Sequence, residues 1–459
     1  MGNGVYLSRS QSSSEDSTAR KKFTISGWYK LGNNGDAGGW KGFWSASTDS
    51  NNYSSLKQNA DAEIIFEQKS SGTGVTWTSS GKYRDYNAWY NIVVAYDSTQ
   101  ASNDDRVKVY INGTQADGTY GSFTQDQEGF WGNSASTAGI GRYNNNTGSS
   151  YMYTGYATHI IGTIGYALAP TVFGATDSTT GEWKPRSAPS GITYSANGFF
   201  LKFENSGAMG TDSSGNNNTF TVNGTGSTNG ELVQATDVPD NNFATINSLA
   251  NAIAAGGTIS KGSLKWETTQ NDYSYRPSSI GVSAGKWYWE VKCVSFSGGT
   301  DPYMIGITST QPSGNTNELG DYANDWAYHE DGKYRNNDSN TTWGSTFTSG
   351  DIIGVALDLT NNKLFFSKNG TWQESGNPAT GANGIAITAP GSTPLGDYFP
   401  AIGDYDNASG SSSTFEMNFG NPSFTVSSSN ADADGHGSFE YAVPSGFYAL
   451  CTKNLNTYG

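Results

Sequence analysis

The chain has 459 residues, enough for two or three domains that each bury a core of their own. Lys and Arg number 26 against 41 Asp and Glu, and the resulting charge of -15 disfavours nucleic acid and anionic membranes as partners. Only 15% of residues are charged, while 59 are Gly, 27 Tyr and 13 Trp, a composition that suits turn-rich β-structure and argues against a helical protein.

The start, MGNGVYLSRS, lacks a cationic stretch followed by an apolar one, so no secretory signal is expected. Tyr6 stands where a myristoylation motif needs Ser or Thr. Strand signals begin at KKFTISGWYK, which sets Phe23, Ile25 and Gly27 against Thr24, Ser26 and Trp28. AEIIFEQ, WYNIVVAYDS, RVKVYINGTQ, AGIGRY, HIIGTIGYALA and NGFFLKFEN follow, each short and bounded by turn-forming residues. Together they predict an all-β unit over residues 1–205. Residues 206–257 are rich in Gly, Ser and Asn and predict a linker, with one short helix in FATINSLANAIAAG (243–256).

Strand signals resume over 258–459 and predict a second all-β unit. In GKWYWEVKCV, Trp287, Trp289, Val291 and Cys293 share one face of a strand and Tyr288, Glu290 and Lys292 the other. That pattern predicts a half-buried strand of an antiparallel sheet, with both tryptophans facing a core and the mixed face towards solvent. At 351–370, Ile353, Val355, Leu357 and Leu359 alternate, Asn361 and Asn362 supply a tight turn with positive φ, and Leu364 and Phe366 return. A fainter copy lies in the first half, where the return strand also ends in Asn-Gly, at 112–113 as at 369–370. No apolar run approaches the roughly 20 residues that span a bilayer.

Residues 260–455 resemble the SPRY domain, through GKWYWEVKC, DIIGVALDLTNNKLFFSKNG, YFPAIGDY and FEMNFG in order. Residues 5–205 resemble a LamG-like concanavalin sandwich, through the segment ending FTISGWYK and through WYNIVVAYDS with RVKVYINGT. The combination, with SGNNNTFTVNG, VPDNNFATIN and VPSGFYALCTKNL, is similar to structural proteins of tailed bacteriophages that join the two folds. The fold class expected is therefore all-β, two concanavalin-like antiparallel β-sandwiches in tandem with a short linker. The resemblance implies a virion protein at the particle surface, with other virion proteins as partners.

Catalytic patterns are sparse. Glycoside hydrolysis needs two carboxylates across the scissile bond; Glu63 and Glu67 would share a strand face, but the Ile-Ile-Phe between them reads as packing. The three histidines, His159, His329 and His436, lie in no nucleophile or metal motif. Calcium is the one cation with candidate ligands, at Asp97, Asp104 and Asp105 or at Asp432 and Asp434, residues that solvated turns also use. No other cofactor is expected. Cys293 and Cys451 match no metal spacing and read as buried small side chains, with one long-range disulfide as the alternative.

Binding is the better prospect. Sugars need aromatic faces with amides, hydroxyls and carboxylates beside them, and residues 321–343 combine Tyr322, Trp326, Tyr328, Tyr334 and Trp343 with that polar set in what reads as a loop. In the SPRY resemblance this is the variable region in which partners bind; the competing reading is that Trp326 and Tyr328 cap the sandwich. The expected function is a non-enzymatic adhesin for host-surface carbohydrate, acting as a homotrimer. An architectural capsid-decoration or fibre role is the alternative, and a glycoside hydrolase the third.

Overall fold

A computed structural model of the chain describes residues 5–459 apart from 12, 33–39, 144–151, 188, 225–231, 251–256, 269–272, 298–302, 311–316 and 406–411. The chain divides into two compact units, the first running to Gln234 and the second from Asn241, with Ala235–Asp240 shared between them. Both are built from antiparallel sheets, so the all-β class and the sandwich architecture hold.

In the first unit the strand Lys22–Leu31 pairs with Trp89–Asp97 on one side and Gly155–Ile164 on the other. It lies in a six-stranded sheet that faces an eight-stranded one centred on Asn52–Gln58 and Lys41–Asp49. Phe23, Ile25, Trp44, Phe66, Trp77 and Trp131 fill the core, each at most 1% exposed. The 206–257 segment is largely folded into the units instead of spanning them. Phe220 is in this core, and Thr221–Asn223 adds an edge strand to Tyr6–Ser10.

In the second unit the predicted register holds. Trp287 pairs with Leu357 and Trp289 with Val355, and Val355 pairs in turn with Phe366. All five are within 1% of full burial and belong to one core. In the tight turn only Asn362 adopts positive φ (53°), while Asn361 caps the Asp358 carboxylate through its N–H and Nδ2 at 3.0 and 2.8 Å. The two Asn-Gly returns are superposable in kind. Asn112 and Asn369 have φ of 48° and 47°, and the glycines after them both 80°. Each asparagine closes on the residue opposite: Asn91 N–H donates to Asn112 Oδ1 and Ile352 N–H to Asn369 Oδ1, both at 2.8 Å. A left-handed residue pair of this kind matches the twist of the strands it joins.

Two expectations fail here. The face carrying Tyr288 and Glu290 is not half-solvated: Phe243, Phe439, Phe447, Ala449 and Cys451 cover it as a second apolar layer. The segment expected as a helix begins in extended form, with Phe243 bridged to Cys451 and Ile246 to Ser278, because both side chains are needed by the second unit's cores; its residues 251–256 lie outside the described ones. The α-helix seen among the described residues is Thr452–Tyr458.

Candidate functional site

The region 321–343 is not a loop. Asp325–His329, Lys333–Asn336 and Ser339–Thr342 are the last three strands of the second unit's six-stranded sheet. Gly332 (φ 85°) opens the first turn, and Asn337 and Asp338 (φ 53° and 56°) make a two-residue hairpin of the second. Alternation was present but weak, because Lys333, Arg335 and the exposed 339–342 strand are polar outward and the inward partners include Asn336 and Thr341.

Alternation sorts the five aromatic candidates. Trp326 (4% exposed) and Tyr328 (0%) point into the core. Tyr328 donates its hydroxyl to the Ser345 carbonyl and packs on Phe366 and Phe347, so it is not a ligand platform. Trp326 stacks edge-on with Tyr398 at 5.8 Å and presents only its margin. Tyr322 is half-buried in the preceding turn, its carbonyl accepting the Asp325 and Asn337 N–H groups, and it lies apart from the groove. Tyr334 and Trp343 are half-buried and stand at 84° to one another, 6.2 Å between centroids.

Tyr334 and Trp343, with Trp326, Asn336 and Thr341, form one wall of an open groove of about 580 Å³, and residues 383–388 form the other. The groove lies where the 325–342 end of one sheet extends past the strand Ile385–Ala386, which pairs with Lys363–Lys368 of the other sheet. Trp343 is held from behind by Tyr328 at 5.4 Å and Phe366 at 5.8 Å, so its ring is fixed before any ligand arrives. The sequence reading missed the second wall, which carries no aromatic signal.

The proposed calcium ligands are not assembled. Asp97 accepts from Thr99, Gln100 and Lys22, and these bonds outweigh burial and hold its carboxyl below the usual range. Asp104 takes the Asn103 amide, and Asp105 pairs with Lys108 at 3.2 Å. Asp432 is a structural cap: it accepts from the N–H groups of Asp434, His436 and Ala449 and from Asn454 Nδ2. Asp434 takes the Tyr458 hydroxyl. Among the described residues no group of three or more His, Cys, Asp or Glu could hold a metal ion.

Glu63 and Glu67 are each used locally. A register shift between Glu63 and Ile65 breaks the alternation between them. Glu63 accepts from Asn59 Nδ2, while Glu67 is paired with Lys57 and accepts the Tyr143 hydroxyl. His159 is half-buried against the Phe200 ring, and burial lowers its pKa. His329 is buried on its strand, and His436 donates its N–H within the Asp432 cap. Cys293 and Cys451 are free and lie in different cores. Two buried carboxyls escaped the sequence reading. Glu290 and Asp325 are fully buried, and burial raises both, Asp325 to about 7.

Comparison with known proteins follows the same division. Residues 286–421 match the SPRY domain family, and residues 4–157 match the concanavalin A-like lectin/glucanases superfamily. Ran-binding protein 9 of Danio rerio is 38% identical over 94 residues, 20% of this chain and 15% of that protein. Ran-binding protein 9 of Homo sapiens is 39% identical over 94 residues, again 20% of this chain and 12% of that protein. The chain thus spans less than a sixth of these relatives' length. The SPRY domain of human HERC1 is similar at 20% identity over 34% of this chain and 87% of that one, with a TM-score of 0.27. A concanavalin-like domain and a SPRY domain stand in tandem in this chain.

Proposed function

We propose that the protein is a non-enzymatic adhesin on the surface of a bacteriophage particle, and that the groove beside Tyr334 and Trp343 holds a host-surface carbohydrate. The groove supports this reading most directly: two fixed aromatic rings at right angles, flanked by amide and hydroxyl groups in an open channel of about 580 Å³. Its lining includes no acidic residue, so a glycan would be held and not cut. The particle location rests on the phage-like motifs that join the two folds. Symmetric copies, three by this reading, would raise avidity through high effective concentration.

The test is a glycan array probed with wild type, Tyr334→Ala and Trp343→Ala. Each loss of a stacked ring should weaken binding by about 1–2 kcal/mol. Host polysaccharide should keep its chain length on incubation. Mass spectrometry of purified virions tests the location and imaging the copy number. A virion protein that binds no glycan would favour the architectural role instead.

A further inference from the structure

We infer that the groove selects uncharged saccharides and rejects acidic ones, because its lining carries no cation and the Asn336 amide meets the ligand as an acceptor. This rests on the carbohydrate reading above. Asn336 Nδ2 donates to the carbonyls of Ala323 and Asp325 at 3.1 and 2.8 Å, and Asn383 Nδ2 donates to the carbonyl of Ser375 at 3.2 Å. Both Nδ2 hydrogens of Asn336 are therefore spent on the protein's own backbone, leaving its Oδ1, which can only accept, whereas Asn383 keeps one N–H beside its Oδ1.

None of the lining residues is Asp, Glu, Lys, Arg or His. A sugar hydroxyl satisfies an amide oxygen by donating to it. A uronate or sialate carboxylate brings no donor for the Asn336 oxygen and finds no cation in the lining to offset its desolvation, in a chain of net charge -15. The hydroxyls of Thr341 and Thr388 can serve either role, so they adapt to the sugar without setting its charge. The rings of Tyr334 and Trp343 supply the apolar contact that a pyranose face needs.

The test uses the full chain and three oligosaccharides of matched length: a neutral glucan or galactan, a polygalacturonate and a chitosan. Calorimetry at two salt concentrations is the readout. The neutral oligomer should bind at least about tenfold more tightly than the polygalacturonate, with little salt dependence, and Trp343→Ala should weaken it. Thr341→Lys, at an exposed rim position, should narrow the gap by raising affinity for polygalacturonate alone. Polygalacturonate bound as tightly as the neutral oligomer by wild type, and lost in Trp343→Ala, would overturn the inference while leaving carbohydrate binding intact. Chitosan bound most tightly, in a salt-sensitive way, would overturn it in favour of a cation site. If none of the three binds a protein with a native melting curve, and a wider array is equally blank, the carbohydrate reading falls and this inference with it.

Discussion

Glu290 Oε1 accepts the backbone N–H of Tyr441 at 2.8 Å, across 151 residues of sequence. Its Oε2 takes the N–H of Glu440 at 3.0 Å and Asn418 Nδ2 at 3.1 Å, and the Tyr288 hydroxyl completes the shell. One buried carboxyl thus fastens the 430–451 segment to the outer face of the sheet. Glu290→Ala should leave several buried donors unmatched and cost about 3 kcal/mol, read as a lower urea midpoint. A midpoint within error of wild type would show that Glu290 does not fasten the segment.

Asp325 gives the second domain a pH signature. Its Oδ1 accepts the Thr308 hydroxyl at 2.8 Å in a fully buried site, and burial raises the carboxyl to about 7 against about 3.9 in an unfolded chain. With the folded value raised, the unfolded state sheds its proton first as pH rises. Stability should therefore fall between about pH 4 and pH 7 and level off above, by on the order of 2 kcal/mol between pH 5 and pH 7. Asp325→Asn should remove most of that slope, which denaturation at pH 5, 6, 7 and 8 would reveal. Parallel profiles for the two proteins would contradict the buried neutral carboxyl.

Trp326 and Trp343 should behave oppositely. Trp326 is core and its replacement by Ala should cost about 3–5 kcal/mol. Trp343 is half-buried at the groove, and its replacement should lower the melting temperature far less while weakening the ligand. Differential scanning calorimetry of both variants separates the roles.

Gly306 pairs with Ala327, and a Cβ on it would lie 1.8 Å from the carbonyl oxygen of the preceding Trp326 and 2.8 Å from its carbon. Backbone cannot step aside as a side-chain tip can, so Gly306→Ala should destabilise the second domain by about 1–3 kcal/mol. Recovery of a wild-type midpoint would mean that the two strands part more easily than their register suggests.

Dithiothreitol should leave the melting temperature unchanged, since Cys293 and Cys451 lie in separate cores and burial holds both thiols protonated. Intact native protein should also resist iodoacetamide. Rapid alkylation would show that one of the two layers opens readily.

Much of the fold was legible because its signals are local. The Trp287 and Trp289 register follows from period-two alternation, and Asn112-Gly113 and Asn369-Gly370 mark their turns by residue type alone. The site was half legible. Aromatic density pointed to Tyr334 and Trp343, but the wall at 383–388 carries only Asn, Gly, Ile, Ala and Thr and is brought there by a pairing with Lys363–Leu364 that no local pattern announces. Glu290 looked like a solvent-facing residue because its partners, Asn418, Glu440 and Tyr441, come 128 to 151 residues later. The calcium candidates show the complementary limit: Asp97 and Asp432 spend oxygens on nearby N–H groups, and sequence cannot distinguish a carboxylate that closes a turn from one that waits for an ion.

The second apolar layer over Tyr288 and Phe365 bears on how the domain is made. The strand Lys286–Ser297 has Ile352–Asp358 as one neighbour, yet its other neighbour, Ser412–Asn418, and the covering residues Phe439, Phe447 and Ala449 are translated much later. Any sheet that forms during synthesis before residues beyond 412 and then 439 emerge would have a bare outer face and one bare edge. Exposed apolar surface and an unpaired strand edge of that kind favour aggregation. Chaperone capture, or a slow step in refolding, should map to the interval in which Tyr288 and Phe365 are still uncovered.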